Sequence, residues 1–348
     1  MRLTQLAKKC ASLSSAIIVL FSMGLVSPTN VVGAASQYSA VLSGNGSIRY
    51  PIEHPNGTIW AAHLYVPTAS SVTTYLANSV FQTAQEMGIT HIHLWQYNFD
   101  TGSRTISRSQ LVDAVRRMKN YGLSPIIDLE YNVNEAVALV TELGADCMMY
   151  EVGKEPHITG TGGSATVSEY VSYFNQIVTA CRQANPNAMY GGPTVGSPTT
   201  SPESRSGVYV NAYLQQCDGD FLSVHSYPGG STKSDAISRA RSSTISDVQQ
   251  LKSKMAQYGK NLPIFITEIQ YTSGVQSGTD PSTNWSWDQS FMNSWTTSLM
   301  STAEEQGIYA IVFWCLIGYD NNFAILRPPA QNYERKPQFT SIQSYLIP

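Results

Sequence analysis

The chain has 348 residues, a net charge of −3 and only 13% charged residues. Its Lys and Arg are scattered, which argues against the clustered basic face that a nucleic-acid backbone requires. The length is long for one ordinary domain and suits a single (β/α)8 barrel, which takes about 250 residues or more. No shift in composition marks a second domain.

At the N-terminus, Arg2, Lys8 and Lys9 precede the apolar run Ala16 to Phe21, and small residues follow at Val32, Gly33, Ala34 and Ala35. That order is the pattern of a secretory signal, with cleavage expected after Ala34. Ser22, Gly24 and Pro28 break the run too early for a membrane span, which needs about 20 apolar residues. Residues 1–34 are therefore expected to leave, and 35–348 to act outside the cell as one domain free of the membrane. An uncleaved anchor is the alternative. Cys10 departs with the signal, leaving Cys147, Cys181, Cys217 and Cys315. Cys147 and Cys315 lie in or beside strand patterns and read as buried thiols. A Cys181–Cys217 bridge stays open, and no pair has zinc-ligand spacing.

The first strand reads from Trp60 to Tyr65. A helix from Ser71 to Met87 follows, its apolar positions three and four apart, and Gly88 stops it. The same unit then repeats. Strand two is His91 to Trp95, with a helix through Leu111, Val115 and Met118 to Gly122. Strand three is Pro125 to Leu129, followed by a helix from Val133 to Leu143. Met148 to Gly153 is strand four, and its helix runs from Ser168 until Asn185-Pro186 ends it. A short strand five, Met189 to Gly192, leads through a helix at Val208 to Gln216 into strand six, Asp220 to His225. Val248, Leu251 and Met255 line the next helix. Strand seven is Leu262 to Glu268, helix seven spans Phe291 to Glu305, strand eight is Ile308 to Trp314, and Phe339 to Leu346 closes the chain. Eight strand-then-helix units predict an α/β fold, a single closed (β/α)8 TIM barrel. No glycine-rich dinucleotide fingerprint follows the first strand.

Two strands end on a carboxylate. Glu155 stands where strand four opens through Pro156 into a glycine-rich loop, Ile158 to Ser164, and Glu268 ends strand seven. The C-terminal end of a barrel strand is where such folds keep their chemistry. Period two places Ile264, Ile266 and Glu268 on one face of strand seven, Ala310, Val312 and Trp314 on one face of strand eight, and Ser223 with His225 on strand six. Trp95, Glu155, His225, Tyr227, Glu268 and Trp314 then collect at one rim. Aromatic rings with paired carboxylates suit a sugar-binding cleft, since pyranose faces stack on flat rings.

These segments resemble the retaining glycoside hydrolases of clan A, whose catalytic domain is a (β/α)8 barrel. Val152-Gly153-Lys154-Glu155-Pro156 is similar to the strand-four Asn-Glu-Pro of that clan. Phe265-Ile266-Thr267-Glu268 is similar to its nucleophile segment, and Ile311-Val312-Phe313-Trp314 to its strand-eight tryptophan. Asp220 to Pro228 resembles the sixth-strand segment of family 39, with family 5 a near relative, and Arg335-Lys336-Pro337-Gln338-Phe339 resembles the lead into the last helix. The resemblance implies that Glu155 is the general acid/base and Glu268 the nucleophile, about 5–5.5 Å apart. It further implies that Tyr227 holds the nucleophile, that His225 lines the site and that Trp314 floors the sugar subsite, without cofactor or metal. Two positions depart from the family. Lys154 stands in place of Asn, and an ammonium donates but cannot accept. On strand two, His93 stands where an Arg often lies under the nucleophile.

The function implied is a secreted, monomeric hydrolase of β-linked polysaccharides or oligosaccharides, with Lys154, His225, Tyr227, Trp314, Trp95 and His93 contacting the carbohydrate. An endo-acting β-1,4-glycanase is favoured by the short loops, ahead of an exo-acting β-xylosidase or β-glucosidase. Trp285 and Trp287 either extend the subsites or pack. A catalytically impaired barrel that binds carbohydrate is the alternative, suggested by Lys154. A metal hydrolase using Asp128 and Glu130 with His91, His93 or His63 is a third reading.

Overall fold

The structure, a computed structural model, describes residues 41–42, 48–49, 57–97, 102–157, 165–196, 206–271, 279–317, 323–327 and 332–347. Residues 1–34, expected to be a secretory signal, and the glycine-rich loop 158–164 lie outside the described residues. Strands β1 (Ile59–Leu64), β2 (His91–Leu94), β3 (Ser124–Leu129), β4 (Met149–Val152), β5 (Met189–Gly196), β6 (Phe221–Ser226), β7 (Ile264–Ile269) and β8 (Ala310–Ile317) close in chain order into a parallel barrel. β8 pairs with β1 to complete it. Short of this barrel, Val41–Leu42 pairs antiparallel with Ile48–Arg49. No described helix is long and apolar enough to cross a membrane. The predicted TIM barrel is thus the observed fold.

Helices α1 (Val72–Tyr75), α2 (Asn78–Glu86), α3 (Arg108–Met118), α4 (Val133–Leu143), α5 (Val167–Ala184), α6 (Gly207–Gln216), α7 (Lys233–Gln257), α8 (Gln289–Gln306) and α9 (Pro337–Leu346) lie between and after the strands. Side-chain caps start several of them. Ser107 with Gln110 and Thr166 with Glu169 form reciprocal capping boxes on α3 and α5, which satisfy backbone N–H groups that have no partner within the helix. Gly307, at φ +66°, closes α8. The single helix expected from Ser71 to Met87 is instead broken after Tyr75, and α2 restarts from Ala77 in extended backbone. The break has a partner from the next helix: Arg117 donates to the Leu76 carbonyl at 2.7 Å and to Asn78 Oδ1 at 2.9 Å.

Side chains facing the helices form one apolar core, and a second apolar cluster fills the lower barrel lumen with Ile59, Ala61, Ile126, Met149, Met189, Phe221, Phe265, Ala310 and Val312. Phe221 stacks on Phe265 at 3.9 Å between ring centroids, and Phe265 on Tyr309 at 5.1 Å. Gly191 leaves the space for this stack, since a Cβ there would meet the Phe221 ring at 2.3 Å.

Strand seven departs from the expected alternation. Phe265 faces the lumen, whereas Ile264 and Ile266 join the core under the helices. Strict alternation would then turn Glu268 away from the lumen. A bulge prevents this. Val224 pairs with Ile266 but His225 with Glu268, and on the other side Ile311 pairs with Ile266 but Phe313 with Ile269, so β7 carries one extra residue. β5 is longer than the expected Met189 to Gly192 and holds a similar irregularity: Pro193 pairs with Ser223 and Val195 with Val224, with Thr194 between them at φ +54°. Proline cannot donate to a ladder, which is why the sequence pattern stops before it. On β8 the expected faces hold, Ala310 and Val312 inward and Ile311 and Phe313 toward the helices.

Cys147, Cys181, Cys217 and Cys315 are all buried free thiols. Burial pushes the Cys147, Cys181 and Cys217 thiols up to about 12, where they stay protonated and inert.

Candidate active site

Glu155 lies three residues past the end of β4. Gly153 makes the turn at φ +75°, a position where a Cβ would come 2.2 Å from the Tyr131 hydroxyl. Glu155 itself adopts φ +43°, backbone that a side chain other than glycine rarely takes and that persists only where its surroundings hold it. Here its N–H donates to the Thr194 carbonyl at 3.1 Å, so the two irregular strand ends fasten each other. The carboxyl is nearly buried, with Oε1 3.1 Å from His225 Nδ1.

The bulge in β7 brings Glu268 to the same place. His225 Nδ1 lies 3.4 Å from Glu268 Oε2, so one imidazole nitrogen is within reach of both carboxylates. The hydroxyl of Tyr227, just past β6, donates to Glu268 Oε2, and the Lys154 ammonium donates to Oε1. Burial alone would raise the Glu268 pKa. The charges of His225 and Lys154 and the bonds from Lys154 and Tyr227 outweigh it, and the group sits below the usual carboxylate range. Tyr227 is pushed well above its ordinary value by burial and then by Glu268, which keeps it a donor, while the residue as a whole remains 37% exposed. Lys154 is buried, yet Glu268 and Asp128 hold its pKa above the ordinary lysine value against that burial. Its Nζ lies 5.3 Å from the Trp95 ring centroid and 5.2 Å from that of Trp314, a cation between two indoles.

His93 lies one layer deeper and is fully buried. Its Nε2 is 3.0 Å from Asp128 Oδ1 and 3.1 Å from Glu151 Oε2, and its Nδ1 is 2.8 Å from His63 Nδ1. Thr194 donates to Glu151 Oε1 at 3.3 Å. Burial would lower the His93 pKa, but the two carboxylates raise it to about 9. Burial raises Asp128 to about 6, whereas for Glu151 the bond and charge of His93 outweigh burial and bring it to about 2. Glu151 was not singled out in the sequence. Its signal was nonetheless present, since period two puts it on the lumen face with Met149, and a carboxylate on that face needs a partner.

Of the residues considered as metal ligands, the fold brings together His63, His93 and Asp128. His91 bonds instead to Thr90 Oγ1 at 2.8 Å, and Glu130 pairs with Arg104 and Tyr97. His93, Asp128 and Glu151 have their donor atoms within 4.8 Å of one another. His93 Nε2 faces two carboxylate oxygens, and a proton on that nitrogen holds the cluster together through a hydrogen bond to Asp128 and an ion pair with Glu151. Trp285 packs edge-on against Phe291 at 5.3 Å, and Trp287 lies between Arg327 and Lys336 at 5.6 and 5.8 Å.

The catalytic-type rim therefore unites Trp95, Lys154, Glu155, His225, Tyr227, Glu268 and Trp314 over a buried polar layer. Residues 143–298, from the end of α4 into α8, match the family model of Glycosyl hydrolases family 39. No curated relative matches the sequence. Among solved structures, a monomeric β-xylosidase from Caulobacter crescentus superposes with a TM-score of 0.62 at 14% identity, over 85% of this chain and 69% of that one. A family 39 glycoside hydrolase from Bacteroides cellulosilyticus gives 0.56 at 14% identity, over 82% of this chain. The family 39 enzyme from Xanthomonas axonopodis pv. citri gives 0.61 at 13%, over 85% of this chain and 67% of that one. The chain spans 62% of the length of the Bacteroides enzyme. These likenesses show the barrel fold, and with the matched segment they bear out the resemblance to clan A glycoside hydrolases drawn from the motifs.

Proposed function

We propose that this chain is a secreted, monomeric retaining hydrolase of β-glycosides, with Glu268 as nucleophile and Glu155 as general acid/base. The observation that carries this is the single His225 nitrogen within bonding reach of a carboxylate from β4 and a carboxylate from β7. A shared imidazole nitrogen keeps the two carboxyl groups close, as double displacement requires at about 5–5.5 Å. Glu268, held ionised, attacks the anomeric carbon while Glu155 protonates the leaving oxygen. Glu155 then takes a proton from the water that releases the sugar. Tyr227 orients one oxygen of Glu268, and Trp314 and Trp95 offer flat faces to the sugar.

The likeness to the monomeric β-xylosidase from Caulobacter crescentus supports an exo-acting β-xylosidase. The endo-β-1,4-glycanase favoured by loop length is the other form of the proposal, and product length separates the two. A catalytically impaired, carbohydrate-binding barrel is the second reading. It is favoured by the Lys154 ammonium that occupies Glu268 Oε1.

The deciding experiment is release of reducing ends or aryl groups from β-glucans, xylans, mannans and aryl β-glycosides between pH 3 and pH 8. Glu268→Gln is the control, and it is expected to lose at least about a thousandfold in rate. Glycan binding without release from the wild-type chain would establish the second reading instead.

A further inference from the structure

We infer that Asp128 and Glu151, bridged by His93, form a second counter-ion of Lys154, a positioning unit for the double displacement; this rests on the function proposed above. The register of the barrel builds it. Asp128 on β3 pairs with Glu151 on β4, and Lys154 follows three residues later in the same chain segment. All three are buried, as is His93. His93 Nε2 lies between Asp128 Oδ1 at 3.0 Å and Glu151 Oε2 at 3.1 Å and so carries a proton. His93 Nδ1 faces His63 Nδ1 at 2.8 Å, a contact that needs one proton shared between two nitrogens.

The charge of the unit follows from counting. Two carboxylates and a doubly protonated His93 leave one net negative charge. Moving a proton from His93 to Asp128 changes which group is charged and leaves the same sum. His63 adds nothing, because burial and then the Lys154 and His93 charges keep it neutral, well below the ordinary histidine pKa. Asp128 is also among the charges that keep Lys154 protonated, second to Glu268. Glu155 and His225 are further charged groups that act on the ammonium.

The reaction itself creates the need for such a unit. In the first step a bond forms from Glu268 oxygen to the anomeric carbon, the bond to the leaving oxygen breaks, and the Glu155 proton goes to that oxygen. Glu268 becomes a neutral ester and Glu155 a carboxylate. Lys154 thereby loses the charge of its bonded partner while its side chain has no access to water. A buried ammonium without a counter-charge is strongly unfavourable. The new charge on Glu155 is met by His225 Nδ1, 3.1 Å from it. The charge of the Asp128–Glu151 unit persists through both steps and balances Lys154 in the covalent intermediate.

The test is a double-mutant cycle in the full chain: wild type, Asp128→Asn, Lys154→Met and the double variant. Two measurements are made on all four, the single-turnover rate of aryl release from the 2,4-dinitrophenyl β-glycoside of the sugar found in the panel, and the thermal midpoint of unfolding. Asp128→Asn is expected to slow aryl release at least tenfold when Lys154 is present and less than threefold in the Lys154→Met background. Its loss of thermal midpoint should likewise shrink in that background. Equal factors and equal midpoint losses in both backgrounds would assign Asp128 a merely structural role and overturn the inference. If the wild-type chain releases no aryl group from any substrate, the hydrolase proposal fails on that result alone. The thermal cycle then still decides whether Asp128 and Lys154 are coupled.

Discussion

The two levels of the barrel lumen are built from the same alternating strand positions and do opposite work. Below, Ile59, Ala61, Ile126, Met149, Met189, Phe221, Phe265 and Val312 close the barrel with apolar volume. Above, the next lumen positions on four of the same strands carry His63, Asp128, Glu151 and Ser223, and the rim adds Lys154, Glu155, His225 and Glu268. The lower level needs only shape. The upper level is stable only as a set, because each buried charge there is held by a charge or hydrogen bond of another. The difference separates substitutions that cost stability from those that cost chemistry.

The sharpest way to break this comparison is at Glu155. Glu155→Gln is expected to lower the hydrolysis rate by about 10²–10⁴-fold on glycosides with poor leaving groups and far less on 2,4-dinitrophenyl glycosides, which need no proton, with unfolding little changed. Equal losses on both substrates would remove Glu155 from the acid role. At the floor, Phe265→Ala leaves a cavity in the Phe221–Phe265–Tyr309 stack and is expected to cost about 3–5 kcal/mol of stability in denaturant unfolding. Its effect on KM should be small at temperatures where the variant stays folded. Lys154→Asn gives the smallest of the three effects. It removes one of the charges that lower Glu268, whose ionised form is the nucleophile and is lost as pH falls through its folded pKa. The acid limb of the kcat/KM profile should therefore move to higher pH, by roughly one to three pH units. An unmoved limb would show that His225 and Tyr227 suffice to hold Glu268 ionised.

Lys154 and His93, the two departures from the family pattern, make sense together. His93 is turned down into the polar layer, hydrogen-bonded to His63 and Asp128 and ion-paired with Glu151, and leaves no strand-two cation beside the nucleophile. Lys154 from β4 bonds to Glu268 instead. Neither substitution is intelligible from its own segment of sequence, because the contact between β4 and β7 spans 114 residues.

By itself, the sequence determined the eightfold succession of strands and helices, since apolar periodicity and glycine or proline stops are local properties that survive without tertiary contacts. It also marked Glu155 and Glu268 as carboxylates at strand ends. Tertiary structure alone decided three things: the extra residue in β7 that turns Glu268 into the lumen, the break at Ala77, and the recruitment of Glu151. Each depends on what a neighbouring element supplies. The paired strands β6 and β8 define the bulge, Arg117 from α3 takes the carbonyl at the break, and the proton on His93 makes a second buried carboxylate tolerable. A period of two describes a strand in isolation, and only the strands on either side determine where that period slips.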